Sequence, residues 1–342
     1  MARMSGAGAK RDGASVGIIA NPASGKDIRR LVAHASVFGN EEKVNIVRRA
    51  LLGAAAAGVA RVVYMPDPHA LVRRAAEETD AGVELVPAQG DFRGDARDST
   101  LAAKAMAEAG VGAIVSLGGD GTNRMIAKGM RDVPLIPIST GTNNVFPVMV
   151  EGTVAGLAAG ALATGVVDPD EVAPRCKLVE IALAEAVREI ALIDVVVMAP
   201  GFTAGRAIWE TGRIRAAVLT RAEADAVGMS AVGGMLEGVR PSDEFGLHLE
   251  FGPGGPEVTA AIAPGLVRPV SLSRVERLAL GAPVQVHGPA LLALDGEREL
   301  LLPDGTVARM TITRSGPPVV HIGRCLETAR ERGFLRVKES SR

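Results

Sequence analysis

Up to about residue 165, short runs of β-branched residues alternate with longer segments in which apolar residues recur at helical spacing. This alternation is typical of parallel βαβ units, whose helices cover both faces of one sheet. The predicted strands span 16–20, 61–65, 83–86, 111–117 and 134–138. The predicted helices span 27–36, 41–57, 69–78, 99–109, 123–130 and 153–163. The first half of the chain is therefore expected to form an α/β domain.

The predicted helix 41–57 carries both an apolar stripe and several cations. Asn40 is placed to cap its first turn, and the apolar stripe is assigned to the core. The cations Lys43, Arg48 and Arg49 are most simply a solvent-exposed face. A contact between one of them and a ligand is the less favoured alternative.

After Asp168-Pro169-Asp170 the pattern changes to short alternating segments separated by proline- and glycine-containing turns, which favours an antiparallel, β-sandwich-like domain. The predicted strands span 178–183, 189–198, 246–251, 258–263, 283–286, 290–294 and 307–313. Segment 209–236 has a helix-like pattern, and a helix at 325–332 is expected to pack back on the first domain. The predicted fold class is α/β plus all-β, with a parallel-sheet domain followed by a β-sandwich-like one. The expected divisions are a flexible tail at 1–14, the α/β domain at 15–165, the β domain at 166–318 and a C-terminal segment at 319–342.

Composition narrows the range of partners. The 342 residues include 38 basic and 39 acidic side chains, a balance that offers no field for nucleic acid or an anionic membrane. The chain is 47% apolar and 23% charged, as in soluble globular proteins, and no segment is expected to cross a membrane. Two cysteines, Cys176 and Cys325, are too few for a disulfide framework and are expected to be reduced. We therefore expect a cytoplasmic homo-oligomer that acts on a small molecule.

One carboxylate lies among three glycines where the predicted strand 111–117 ends, in Gly118-Gly119-Asp120-Gly121-Thr122. Glycine lets a ligand approach the backbone closely, and amides at the start of the following helix attract anions. Thr122 and Asn123 are placed to cap that helix. The segment is either a turn that binds a phosphate or a sugar, or an ordinary strand-to-helix turn that requires glycine.

Two further loops follow predicted strands of the same sheet. Asn21-Pro22-Ala23-Ser24-Gly25-Lys26 can direct amides and the Lys26 ammonium at a phosphate, although it lacks the Walker A spacing. Ser139-Thr140-Gly141-Thr142-Asn143-Asn144 offers hydroxyls and amides. Because ligands bind at the carboxyl ends of parallel strands, the three loops are expected to converge on one crevice.

These three motifs resemble those of the ATP-NAD kinase superfamily, which includes diacylglycerol and sphingosine kinases. The resemblance continues through segments 191–196, 264–269 and 294–297 in family order and so covers roughly residues 15 to 320. Segments 21–30 and 228–234 are most similar to the acetoin-catabolism protein X branch. The resemblance implies a kinase that uses ATP and Mg²⁺, with a nucleotide cleft between the two domains and NAD as a possible acceptor.

The resemblance implies that Asp120 activates the acceptor hydroxyl or positions the transferred phosphate. A carboxylate in a glycine loop beside a phosphate site can serve as that base or as a metal ligand. Glu297, in Asp295-Gly296-Glu297, is a second candidate for the base, because lipid kinases carry this glutamate where NAD kinases have glutamine. Arg124 and Arg268 are placed to contact phosphates, and the alternative for either is a structural salt bridge. The residues expected to bind nucleotide are Asn21, Pro22, Ser24, Gly25, Lys26, Gly118, Gly119, Gly121, Thr122, Asn123, Arg124, Thr140, Gly141, Thr142, Asn143, Asn144, Asp194, Asp295 and Gly296.

Ile193-Asp194 stands where NAD kinases have an asparagine followed by a carboxylate. Asp194 keeps the group that accepts ribose hydroxyls, whereas Ile193 lacks the amide that would help to discriminate NAD. Segment 220–234 replaces a family motif that is not recognisable here. Two alternatives therefore stay open beside an NAD or nucleotide-like acceptor. One is a lipid kinase of the diacylglycerol or sphingosine type, and the other is a non-catalytic nucleotide-binding regulator associated with acetoin catabolism.

Overall fold

The computed structural model describes residues 13–25, 38–141, 143–183, 186–200, 213–296 and 298–336. Within these ranges the chain forms an N-terminal parallel α/β domain and a C-terminal domain of two antiparallel sheets. The predicted fold class is therefore confirmed. The predicted helix 27–36 lies outside the described residues.

The first domain is built on a five-stranded parallel sheet in the order β3-β2-β1-β4-β5. Its central strands are buried along their whole length because helices cover both faces. The strands are β1 (Ser15–Ala20), β2 (Arg61–Tyr64), β3 (Glu84–Pro87), β4 (Ile114–Gly118) and β5 (Leu135–Ser139). The helices are α1 (Asn40–Ala56), α2 (Leu71–Glu77), α3 (Arg97–Glu108), α4 (Asp120–Ala127) and α5 (Gly152–Ala163).

Helices α4 and α1 begin earlier than the sequence predicts, and the difference changes their caps. Helix α4 starts at Asp120 with Gly119 at its N-cap, so neither Thr122 nor Asn123 caps it. Helix α1 starts at Asn40 itself, with Gly39 as N-cap and no side-chain cap. The catalytic candidate Asp120 is therefore a first-turn residue, where helix amides and the helix dipole favour a negative charge.

Helices α1 and α5 pack unusually close together through a stripe of small residues. Gly152, Gly156 and Gly160 recur every four residues on α5 and face α1. A Cβ added at Gly156 would collide with the carbonyl group of Ala50, and one at Gly160 would collide with the Ala57 side chain. The small side chains thus set the spacing of this helix pair.

The second domain follows the short helix α6 (Pro169–Val172) and consists of two sheets packed face to face. The seven-stranded sheet has the order β11-β12-β10-β9-β8-β14-β15, and the four-stranded sheet has the order β13-β16-β6-β7. Its strands are β6 (Leu178–Leu183), β7 (Ala186–Ala191), β8 (Asp194–Met198), β9 (Ile214–Leu219), β10 (Phe245–Phe251), β11 (Glu257–Ala263), β12 (Leu266–Ala279), β13 (Pro283–His287), β14 (Ala290–Leu294), β15 (Arg298–Leu302) and β16 (Val307–Thr313). Val179 and Met310 of the smaller sheet share one apolar core with Val197 and Leu292 of the larger sheet.

The structure corrects three elements of this domain. The single strand predicted at 189–198 is two strands, β7 and β8, which belong to different sheets. In the described part of the helix-like segment 209–236, residues 213–236 form strand β9 and a short helix, α7 (Met229–Gly234). Strands β12 and β15 were not predicted, and most of β12 is exposed, so it lacks a continuous apolar signal.

The C-terminal helix α8 (Ile322–Glu331) packs against α5 of the first domain. Cys325 is fully buried there, and its thiol lies 3.7 Å from the carbonyl oxygen of Ala158. Burial raises the pKa of the Cys325 thiol to about 11 and that of Cys176 to about 12, so both resist ionisation. Among the described helices, none combines the length and apolar character that a bilayer span demands.

Candidate functional site

A cleft lies where the carboxyl ends of the parallel strands meet the second domain. The first domain contributes Asp120, Asn143 and Val145 to its walls. The second domain contributes a mostly apolar wall together with two carboxylates, and its lining residues are Ile193, Asp194, Val196, Val227, Gly228, Met229, Ile262, Ala263, Pro264, Asp295 and Gly296. The cleft therefore combines three acidic side chains with an apolar surface.

Asp120 lies at the bottom of this cleft and is 9% exposed. Its Oδ1 accepts hydrogen bonds from the backbone N–H groups of Phe146 at 2.8 Å and Val145 at 3.1 Å. Oδ2 also receives the Val145 N–H at 3.1 Å. The Asp120 carboxylate thus holds the segment after β5 in place, and Asp120 also lines the cleft.

Asp295 is the corresponding carboxylate of the second domain. It lies in the turn between β14 and β15 with φ of 48°, and its side chain is fully buried. Its two oxygens accept the backbone N–H groups of Ile193 at 2.8 Å and Leu192 at 3.0 Å. Burial raises the pKa of the Asp295 carboxyl to about 6, although these hydrogen bonds and Arg124 act in the opposite direction. Asp295 therefore fixes the β7–β8 turn from which Asp194 extends.

Arg124 joins the two domains beneath the cleft. It lies on α4, its side chain is 4% exposed, and its guanidinium is 3.2 Å from Glu189 and 3.5 Å from Asp295. Lys128 also pairs with Glu189. Burial opposes ionisation of Glu189, but Lys128 and Arg124 together lower its pKa. The structure thus places Arg124 in a buried ion-pair network, not on a surface that faces a nucleotide.

The loop after β1, residues 21–25, is tied to both other sequence motifs. The amide of Asn21 donates to Thr122 Oγ1 at 2.8 Å, and the hydroxyl of Thr140 donates to Ser24 Oγ at 3.0 Å. Gly25 has φ of +69°, and a Cβ there would lie 2.8 Å from the Thr140 carbonyl oxygen. The three glycine-containing loops therefore meet at one edge of the sheet, and Gly25 is required by both its conformation and the close approach of its neighbour.

Several predicted nucleotide-binding residues stabilise these loops. Asn123 is fully buried, accepting a hydrogen bond from Ser116 and donating one to the Gly119 carbonyl. Asn144 donates to Ser139 Oγ at 2.8 Å and to the Gly141 carbonyl at 3.4 Å. Gly118 closes strand β4, and a Cβ there would collide with Thr122. These contacts maintain the shape of the loops.

Four residues that the sequence predicts at the site are not placed there by the structure. Lys26, Thr142 and Glu297 lie outside the described residues. Arg268 is exposed on β12, paired with Ala260 of β11, and does not line the cleft.

The sequence interpretation missed two cations near the site. Lys43 was assigned to solvent, but it is fully buried and donates to the carbonyl oxygens of the loop after β1. Its spacing from Val47 and Leu51 already placed it on the buried stripe of α1, and only its charge suggested otherwise. Arg221 lies 5.2 Å from the ring centre of Phe146 and donates to the Val145 carbonyl at 3.2 Å, with no motif to mark it.

The cleft oxygens suit a hard cation that arrives with a nucleotide. Among residues that the structure describes, no cluster of three or more His, Cys, Asp or Glu side chains is arranged to hold a metal ion. Mg²⁺ bound with nucleotides takes one or two protein carboxylates, and phosphates and water complete its coordination. Asp120 fits that requirement. Among the described residues, its Oδ2 accepts the Val145 N–H alone and shares that group with Oδ1.

The environment of Asp120 predicts a pH-dependent stability. Burial raises the pKa of its carboxyl from 3.8 to about 6, with a further contribution from Asp295 and against the hydrogen bonds of Phe146 and Val145. The folded chain then keeps a proton that the unfolded chain releases, so this stabilising contribution is lost as pH rises through that window. Relative to Asp120→Asn, the wild type should lose on the order of 2–4 kcal/mol of unfolding free energy between about pH 4 and pH 7. Urea unfolding of both proteins measures the difference, and a constant difference would contradict the raised pKa.

Comparisons with known proteins agree with this two-domain arrangement. The family model of the ATP-NAD kinase N-terminal domain matches residues 16–166, and that of the acetoin catabolism protein X C-terminal domain matches residues 177–315. Acetoin catabolism protein X from Cupriavidus necator is 38% identical over 337 residues, covering 94% of each chain. A diacylglycerol kinase structure from Bacillus anthracis str. Sterne aligns over 90% of this chain and 96% of its own, with 12% identity and a TM-score of 0.42. Two further structures from that organism give TM-scores of 0.46 and 0.45.

The extent of these matches settles the family. Both domains are covered, and the full-length relative matches nearly from end to end. The chain belongs to the acetoin catabolism protein X family, and it joins an ATP-NAD kinase-type N-terminal domain to the C-terminal domain of that family.

Proposed function

We propose that this chain transfers a phosphoryl group from ATP to a hydroxyl group of a small, nucleotide-like metabolite, for which NAD is one candidate. The observation that carries the proposal is the position of Asp120. It combines a first-turn place on α4, a raised pKa and a face in the cleft between the domains. A kinase acceptor site requires one base of this kind, while binding and charge neutralisation do most of the remaining work.

Asp120 would act as the acceptor-side base. A carboxylate with a pKa of about 6 accepts a proton more readily than an ordinary aspartate and is still ionised at neutral pH. As the acceptor oxygen bonds to the γ-phosphorus, its proton passes to Asp120 and the bond from phosphorus to the bridging oxygen of ADP breaks. Mg²⁺, when bound, would neutralise charge on the phosphates. Glu297 is the alternative base.

The phosphates are proposed to lie toward the loops that meet beside Asp120. The loop after β1 and the N-terminus of α4 are joined through Asn21 and Thr122, and both follow strands of the parallel sheet. Helix N-termini and backbone amides in such loops favour anions. The acceptor would then occupy the part of the cleft next to Asp194 and the apolar wall.

The direct test is a Mg²⁺-dependent phosphorylation assay with a panel of acceptors. The purified full-length chain is incubated with ATP and NAD, nucleosides, other hydroxyl-bearing metabolites or diacylglycerol in vesicles, and ADP and phosphorylated product are measured together. A phosphorylated nucleotide-like product supports the proposal. Phosphorylated diacylglycerol identifies a lipid kinase, whereas ATP binding without turnover on any acceptor identifies a regulator.

The apolar wall of the cleft predicts that the wild-type chain phosphorylates NAD poorly. Ile193 lines the cleft beside Asp194 and presents no hydrogen-bonding side chain where the family's NAD kinases carry an asparagine. Replacing Ile193 by asparagine is therefore expected to raise kcat/KM for NAD by about tenfold or more, because a polar pocket discriminates polar ligands better than an apolar one.

Ile193→Val is the matched control, since it keeps the wall apolar and should leave NAD use low. The measurement is the initial rate of NAD phosphorylation by the three proteins. Efficient NAD phosphorylation by the wild type would show that another group, such as Asn143 in the same cleft, supplies the missing contact.

A further inference from the structure

Lys43 lies directly behind the loop that follows β1. Its Nζ donates hydrogen bonds to the carbonyl oxygens of Asn21 at 2.9 Å, Pro22 at 3.2 Å and Ser24 at 2.7 Å. Asn40 Oδ1, one turn earlier on α1, lies 3.2 Å from the same nitrogen, so the three ammonium protons are shared among four oxygens. One side chain therefore binds three of the five residues of the loop.

This lysine is buried at a position where packing alone would favour an apolar residue. It is 0% exposed and shares the buried face of α1 with Val47, Ala50 and Leu51. Removing an ammonium group from water costs several kcal/mol, so lysine is rarely buried without a specific set of partners. An apolar residue at position 43 would be buried at a lower cost in free energy. The buried ammonium therefore indicates a specific role for its positive charge.

The position of the ammonium orients the loop. In a trans peptide the C=O and N–H groups point in opposite directions. Because the Ser24 carbonyl points at Lys43, the N–H of Gly25 in the same peptide unit points away from it. Two side chains of the loop, those of Asn21 and Ser24, contact Thr122 and Thr140, which belong to the two other glycine-containing segments. The loop that Lys43 binds is therefore also bonded to both other motifs.

We propose that Lys43 is a positioning residue for phosphate binding: its buried ammonium fixes the loop 21–25 through three of its carbonyl oxygens and supplies a positive charge behind it, without touching the ligand. This inference rests on the proposed nucleotide site. It assigns part of the phosphate affinity to a side chain of α1 and not to a cation on the surface of the loop.

The test compares Lys43→Met with Arg49→Met in the full-length chain. Arg49 is on the same helix, but it is 41% exposed and pairs with Glu42 and Glu151, so its loss removes an equal charge at the surface. Binding of AMP, ADP and ATP is measured by calorimetry, with Mg²⁺ held constant. Lys43→Met is expected to weaken ATP binding by about tenfold or more, with a smaller loss for AMP. Arg49→Met is expected to bind all three like the wild type.

The outcomes separate this inference from the function on which it rests. If the wild type binds no adenine nucleotide, the proposed function fails. If the wild type binds ATP and folded Lys43→Met binds it equally well, or loses equal affinity for AMP and ATP, the role of Lys43 is overturned. If Lys43→Met does not fold, it is replaced by Lys43→Gln, which keeps a hydrogen-bond donor without the charge. The inference then requires Lys43→Gln to lose more binding affinity for ATP than for AMP.

Discussion

Replacing Asp120 by asparagine is expected to reduce phosphoryl transfer by about 10²–10⁴-fold while leaving the chain folded, because the variant keeps the hydrogen-bond acceptor but loses the base. Oδ1 accepts the N–H groups of both Phe146 and Val145, the latter shared with Oδ2, so an asparagine carbonyl at the Oδ1 position can accept both. The loss should fall on kcat. The measurement is ADP release with the acceptor found in the panel, at saturating ATP.

The matched control is Asp132→Asn. Asp132 is an exposed aspartate of the same domain that pairs with Arg175 at the surface, so removing its charge should leave the rate unchanged. Near wild-type turnover by folded Asp120→Asn would exclude Asp120 as the base and leave Glu297 as the remaining candidate.

Replacing Arg124 by methionine is expected to lower the free energy of unfolding by about 3–5 kcal/mol, the usual cost of removing one partner from a buried ion pair. The change leaves the fully buried Asp295 without the guanidinium beside it, while Glu189 keeps Lys128. Urea unfolding near neutral pH measures this loss. Because Asp295 has a pKa of about 6, it becomes protonated as pH falls below that value, and the deficit should then shrink.

Arg131→Met is the control for the Arg124 experiment. Arg131 lies just beyond α4, and its ion pair with Glu108 is exposed, so its removal should cost about 1 kcal/mol or less. A loss for Arg124→Met that is no larger than this would mean that the buried network does not hold the domains together.

The first domain could be predicted closely because each of its elements carries a strong local signal. The strands β1 and β5 are short apolar runs that end at loops of small and polar residues, and helices cover both faces of the sheet. The second domain was harder, since its strands depend on partners far away in the chain. Strand β12 contains Pro269 and is mostly exposed, and pairing with β10 and β11 defines it instead of an apolar pattern.

The site was predictable where glycine motifs follow strands and unpredictable where charges are buried. The loops containing Ser24, Thr122 and Thr140 follow parallel strands, so the topology of the sheet brings them together. In contrast, Lys43 and Arg124 are buried because each pairs with specific groups inside the protein, carbonyl oxygens for Lys43 and carboxylates for Arg124. Charge taken alone suggests solvent or ligand for such residues, and only tertiary structure reveals their partners.

The close contact between α1 and α5 has a consequence for any attempt to engineer a new specificity. Since the backbone of Ala50 leaves no space for a side chain at Gly156, any larger residue there must push α1 away from α5. Lys43 lies on α1 and would move with it, together with the loop carbonyls that it binds. Libraries for new acceptors are therefore better placed in the apolar wall around Val196, Met229 and Ile262, because changes there leave the helix pair as it is.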